Sequence, residues 1–156
     1  IEEVCNILKP LYQKKGVKVV KDVDENLSLS GDYIKLQQVI FNLLGNAIKF
    51  SPQNSEIHIK AGKKDNSVYI SIKDEGIGID KKYHKKIFNK FFQIADSLSK
   101  SETSTGLGLT IAKEFVKLHN GKIDIISKPA NGTTFIITLP SNTPYGKDFC
   151  GAELLK

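Results

Sequence analysis

Between Asp32 and Ser51 the chain reads DYIKLQQVIFNLLGNAIKFS, an apolar helix with a polar stripe set into it. Val39, Ile40, Leu43, Leu44, Ala47 and Ile48 recur at the three- and four-residue spacing of a helix face, enough to bury most of its surface. Gln38, Asn42, Asn46 and Lys49 share another face. Burying a neutral polar group without a partner costs roughly 2 to 7 kcal/mol, so a stripe hemmed in by apolar positions implies that something polar meets it. Two or three carboxamides and an ammonium suit a polyanionic phosphate carrying a cation.

The 156 residues suffice for one domain with a short tail and a sizeable core. No apolar run approaches the ~20 residues of a membrane span, and no signal-peptide pattern opens the chain. A start at Ile1 and the lack of methionine lead us to expect a piece of a longer protein. The net charge of +6 comes from 23 lysines and no arginine, so phosphate recognition by a bidentate guanidinium is not open to this chain. The lysines are scattered and interleave with no aromatic strand, which argues against a nucleic-acid partner. Cys5 and Cys150 have neither metal-ligand nor redox spacing, and are expected to be idle, reduced thiols.

Val4, Ile7, Leu8, Leu11 and Tyr12 predict an amphipathic helix over 2–15, closed by Gly16. Short β-like segments follow at 17–21 and 27–30. Asp32 is the expected N-cap of the striped helix, which ends near Ser51-Pro52. Strands at 55–62 and 67–73 read as a hairpin turning at Asp65-Asn66. From Glu75 to Thr105 periodicity lapses, apart from a helical patch at Tyr83 to Phe92. Ordinary connections have a median of about 4 to 6 residues, so a segment this long reads as a functional lid. A helix over 106–119, closed by Gly121, precedes strands at 122–127 and 133–139 that pair across Pro129 to Gly132. Residues 1–140 form the expected domain, and 141–156 read as linker or tail.

Two short motifs accompany the stripe. Asp74-Glu75-Gly76-Ile77-Gly78 follows a half-buried strand, where a carboxylate can accept from an exocyclic amine while glycines let the backbone approach a flat ring. Thr105-Gly106-Leu107-Gly108-Leu109 opens a helix with glycines, leaving its first N–H groups aimed at an anion. Each alone is a common junction, but their order and spacing after the amide helix are specific.

The chain resembles the catalytic ATP-binding domain of sensor histidine kinases: NLLGNAIKF is similar to its N box, DEGIGI to its G1 box, FNKFF to its F box and TGLGL to its G2 box. The resemblance covers about 1–140 and implies the Bergerat fold, an α/β (α+β) two-layer sandwich with a mixed sheet of about five strands and three helices on one face. It implies that Asn46 ligates Mg2+ on the phosphates of ATP with support from Asn42, and that Lys49 faces phosphate; these three are the expected catalytic residues. Asp74 would select adenine, Gly76 and Gly78 would line the base, and Thr105, Gly106, Leu107, Gly108 and Leu109 would hold the phosphates. Phe88, Phe91 and Phe92 would anchor the lid, with Phe92 also contacting nucleotide.

The implied partners are a histidine-bearing dimerisation domain of the same protein, N-terminal to this chain, and a response regulator receiver domain. A cytoplasmic location, a homodimeric whole protein and no direct membrane contact follow from the same resemblance. Gln93 stands where many members carry arginine, and Ser104 where a third glycine is frequent. None of His58, His84 and His119 lies in an H-box-like context, so all three are expected to be structural or surface residues. The alternatives are an ATP hydrolase of the same superfamily and a non-catalytic nucleotide-binding signalling module. Such hydrolases resemble one another in a glutamate at the place of Asn42, since activating water needs a base.

Overall fold

A computed structural model of the chain describes residues 1–94 and 105–141. Ser104, Cys150 and the expected tail from residue 142 lie outside the described residues. Three α-helices, α1 (Glu2–Lys14), α2 (Tyr33–Phe50) and α3 (Gly108–Leu118), accompany five strands: β1 (Lys18–Val23), β2 (Glu56–Lys64), β3 (Ser67–Lys73), β4 (Lys122–Ser127) and β5 (Thr133–Pro140). The sheet order is β1-β2-β3-β5-β4, with β1 and β2 parallel and the other pairs antiparallel. A parallel pair needs a crossover, and here α2 supplies it. The polar stripe is thereby carried onto the helical side of the sheet.

Alternation along the strands sets the layers. Ile57 and Ile59 on β2, Ile72 on β3, and Phe135, Ile137 and Leu139 on β5 are buried with Val39, Leu43 and Leu44 of α2 and with Ala112 and Val116 of α3. The mixed five-stranded sheet with three helices agrees with the sequence reading. The Asp32 cap is also present, its Oδ1 accepting from Lys35 N at 3.0 Å.

Helix ends show how the layer is fastened. At the far end of α2, Lys15 Nζ donates to the carbonyls of Ile48 and Lys49, each at 2.8 Å, tying α1 to α2. Burial there pushes the Lys15 pKa down. His119, at the end of α3, accepts from Asp32 N at 2.9 Å through Nε2, so Nδ1 carries the proton and donates to Phe115 O at 2.7 Å. One imidazole joins α3 to the start of α2, as the structural assignment expects. His84 lies 3.0 Å from Ile79 O, and His58 3.3 Å from Glu56.

Several local expectations are corrected. Residues 27–30 form no strand, because their chain runs without a ladder after β1. The helical patch at 83–92 resolves into two 3-10 turns, Lys81–Tyr83 and Lys86–Phe88, too short for an α-helical face. Asn120 rather than Gly121 takes the left-handed step after α3, with φ 53. Ile7 and Leu11 of α1 stay exposed, whereas Cys5 is buried in the core and forms no disulfide among the described residues. Among the described residues no helix is long and apolar enough to cross a membrane.

Candidate nucleotide site

Asn42, Asn46 and Lys49 are half-buried on one side of α2. A Cβ added to Gly108 would lie 3.3 Å from Asn42 Oδ1, so α3 begins against the middle of the stripe. Leu107 caps α3 without a side-chain hydrogen bond among the described residues, and the positive end of the helix dipole lies beside Asn42. The Asn42 Nδ2 group is buried and has no hydrogen-bond partner among the described residues. A buried orphan donor at a helix N-terminus fits an anionic ligand, phosphate above all. Lys49 Nζ stands 5.3 Å above the Phe50 ring.

The other end of the site is built around Asp74. Its Oδ1 accepts from Gly76 N at 2.8 Å and from Thr133 N at 3.1 Å. Burial raises the Asp74 pKa, and those two backbone bonds oppose the rise without cancelling it. Because Oδ1 is saturated, Oδ2 remains the acceptor for a ligand. From Asn42 to Phe50 the helix rises ~12 Å, and Phe50 O meets Gly76 closely, 2.6 Å from where a Cβ would stand. The stripe thus runs from the α3 N-terminus to the Asp74 corner.

Sequence reasoning took the turn between β4 and β5 for a connector. It is instead the clamp on the Asp74 loop: Asp74 N donates to Thr133 O at 2.8 Å, Gly132 N to Gly76 O at 3.0 Å and Ala130 N to Ile77 O at 2.7 Å. Ser127 Oγ accepts from Ile79 N and donates to Gly132 O, both at 2.8 Å. Gly132 has φ 68, and a Cβ on it would stand 2.0 Å from Asp74 O. Gly132→Ala is expected to cost roughly 3 kcal/mol by strain and clash. Gly45→Ala, mid-helix with nothing within 4 Å, should instead stabilise by roughly 0.5 to 1 kcal/mol. Urea unfolding of the two variants checks the contrast.

The ends of the segment expected to be a lid are stitched by backbone. Phe91 N donates to Gly106 O at 3.0 Å. Gly106 has φ 69, and a Cβ there would fall 2.8 Å from Phe91 Cα. Phe88 meets Phe135 edge-on at 6.3 Å, Phe92 meets Tyr83 at 5.9 Å, and Thr110 Oγ1 donates to Phe88 O at 3.0 Å. Phe88 and Phe92 pack against the core. The Phe91 side chain does not, being 70% exposed on a left-handed backbone with φ 62. Among the described residues no group of three or more His, Cys, Asp or Glu side chains could hold a metal.

An amide-bearing crossover helix, an acid clamped at a sheet end and a glycine-opened helix come together on the helical side of a mixed sheet. A family model described as "Histidine kinase-, DNA gyrase B-, and HSP90-like ATPase" matches residues 31–143, and the chain belongs to this family, in its histidine kinase catalytic branch. It is 40% identical over 133 residues to the sensor histidine kinase WalK of Bacillus subtilis, covering 83% of this chain and 22% of WalK. The nucleotide-free catalytic domain of histidine kinase ThkA superposes with a TM-score of 0.79 at 28% identity, covering 90% of this chain and 89% of that one. Full-length ShkA in complex with AMPPNP gives a TM-score of 0.78 at 25% identity, over 92% of this chain and 29% of ShkA. The chain spans well under half the length of the curated relatives it matches.

Proposed function

We propose that this chain holds Mg-ATP along the α2 stripe and delivers the γ-phosphoryl group to a histidine on a dimerisation domain outside it. The observation that carries the reading is the buried Asn42 Nδ2, without a partner among the described residues, beside the start of α3. That donor suits a phosphate oxygen, and the carboxamide oxygens of Asn46 and Asn42 suit Mg2+, which prefers few protein oxygens plus phosphate and water. The ion would neutralise charge on the phosphates. Lys49 adds a point charge, and Thr105, Gly106, Leu107, Gly108 and Leu109 supply backbone around the phosphates. Asp74 takes the base amine through Oδ2, with Gly76 and Gly78 beneath the ring and Phe92 at the lid root.

What remains for the protein to do is positioning and charge neutralisation while an imidazole nitrogen arrives in line. Asn42 favours this over hydrolysis, because a carboxamide cannot deprotonate water. A response regulator receiver domain would accept the phosphoryl group next, and the complete protein would act as a cytoplasmic-facing homodimer.

The test is incubation of the chain with γ-labelled ATP, Mg2+ and a histidine-bearing dimerisation domain. Label should appear on that domain and be absent when its acceptor histidine is replaced by glutamine. ATP binding with release of free phosphate alone would replace the kinase reading with a hydrolase. Binding with neither transfer nor release would leave a nucleotide-sensing module.

A further inference from the structure

Ser51 ends α2, where its backbone N–H donates to Ala47 O at 3.0 Å. Its side chain does nothing comparable. Ser51 is 3% exposed, and Oγ has no hydrogen-bond partner among the described residues. The same turn can satisfy a hydroxyl, since Ser55 Oγ donates to Pro52 O at 2.8 Å. A buried hydroxyl without a partner destabilises relative to alanine unless water or ligand meets it.

The place of this hydroxyl gives it a use. The Phe50–Ser51 peptide and the Asp74 carboxylate border the same glycine: from the point where a Gly76 Cβ would stand, Phe50 O is 2.6 Å away and Asp74 Oδ1 2.7 Å. An ionised carboxylate only accepts. The polar edge of adenine presents a donor, the exocyclic amine, beside an acceptor, N1. Asp74 Oδ2 can take the first but not the second. Asn42 Nδ2 and Ser51 Oγ are the buried side-chain atoms left unpartnered among the described residues, and Asn42 stands at the α3 end of the stripe. Of these two, Ser51 is the one that belongs to the base end, next to the Phe50 carbonyl that borders Gly76.

We propose that Ser51 determines base specificity: its hydroxyl donates to N1 of adenine, directly or through one ordered water, while Asp74 accepts from the amine. This rests on the nucleotide reading above and adds a residue to it. The pair is complementary to adenine and mismatched to guanine or hypoxanthine, whose N1 carries a proton and whose C6 carries an acceptor.

Calorimetric titration with ADP and with 1-deaza-ADP, which keeps the amine but lacks N1, tests it. Ser51→Ala should weaken ADP roughly three- to ten-fold, the worth of one hydrogen bond, and leave 1-deaza-ADP unchanged. Ser51→Thr should restore most of the ADP affinity, and the unliganded melting temperature of Ser51→Ala should equal or exceed that of the parent. Equal weakening of both nucleotides would mark Ser51 as structural and overturn the proposal. Unchanged ADP affinity in Ser51→Ala overturns this inference alone, whereas a parent protein that binds no ADP overturns the nucleotide reading with it.

Discussion

Asp74→Asn is expected to weaken ATP by roughly a hundred-fold while leaving the fold intact or slightly more stable. The asymmetry comes from how the carboxylate is held. Oδ1 accepts from Gly76 N and Thr133 N, so asparagine must place its own oxygen there to keep both bonds. Its Nδ2 then replaces Oδ2, and a donor faces the donor amine of the base. A polar site built for one hydrogen-bond pattern rejects the mismatched pattern strongly, because both groups lose water and gain nothing.

The pH dependence has a definite sign. The Asp74 pKa is raised in the folded state, so over the window between the ordinary carboxylate value and the raised one the folded protein binds the extra proton. Stability relative to Asp74→Asn therefore falls as pH rises through that window, and the difference closes below the ordinary value of about 4. Nucleotide works in the opposite direction, since the amine favours the ionised carboxylate and ATP binding should weaken on acidification. Thermal unfolding of both proteins from pH 4 to pH 8, with and without ATP, measures the two effects. A variant that binds ATP like the parent would remove Asp74 from the base site.

Asn46→Ala is expected to abolish the Mg2+-dependent part of nucleotide stabilisation and to spare the part seen in chelator. Half-buried on α2, Asn46 can be shortened to alanine with little damage to the helix, because alanine has the higher helix propensity. What disappears is an oxygen for the ion. Binding that stabilises only the folded state raises stability by RT ln(1 + [L]/Kd), so losing two decades of affinity at saturating ligand removes about 2.7 kcal/mol. A melting-temperature titration of ATP with Mg2+ and with chelator separates the contributions. An undiminished Mg2+ increment in the variant would move the metal to other oxygens.

The α2 stripe was legible because a helix period exposes it directly: six apolar positions on one side and Asn42, Asn46 and Lys49 on another require no tertiary knowledge. The same holds for the β2–β3 hairpin and for the glycines that open α3, whose signals lie within a few residues of one another. The clamp of Gly132 and Thr133 on Asp74 was not legible. Its partners stand 59 residues apart in sequence for Thr133 N and Asp74 Oδ1, and a glycine in a turn looks the same whether it merely turns or makes room for another strand's carbonyl. Phe91 departs from what the resemblance implied for a related reason: its backbone is left-handed, its N–H meets Gly106 O, and its ring lies exposed.

Local pattern therefore determined the elements, their order and the chemical types available to the site, because period and capping are properties of neighbouring residues. Only the tertiary structure decided that α2 crosses between two parallel strands, that one oxygen of Asp74 takes both backbone bonds, and that two buried polar atoms, Asn42 Nδ2 and Ser51 Oγ, lack partners among the described residues. Those facts depend on which distant groups meet, and a hydrogen bond is satisfied or orphaned only once the chain has closed on itself.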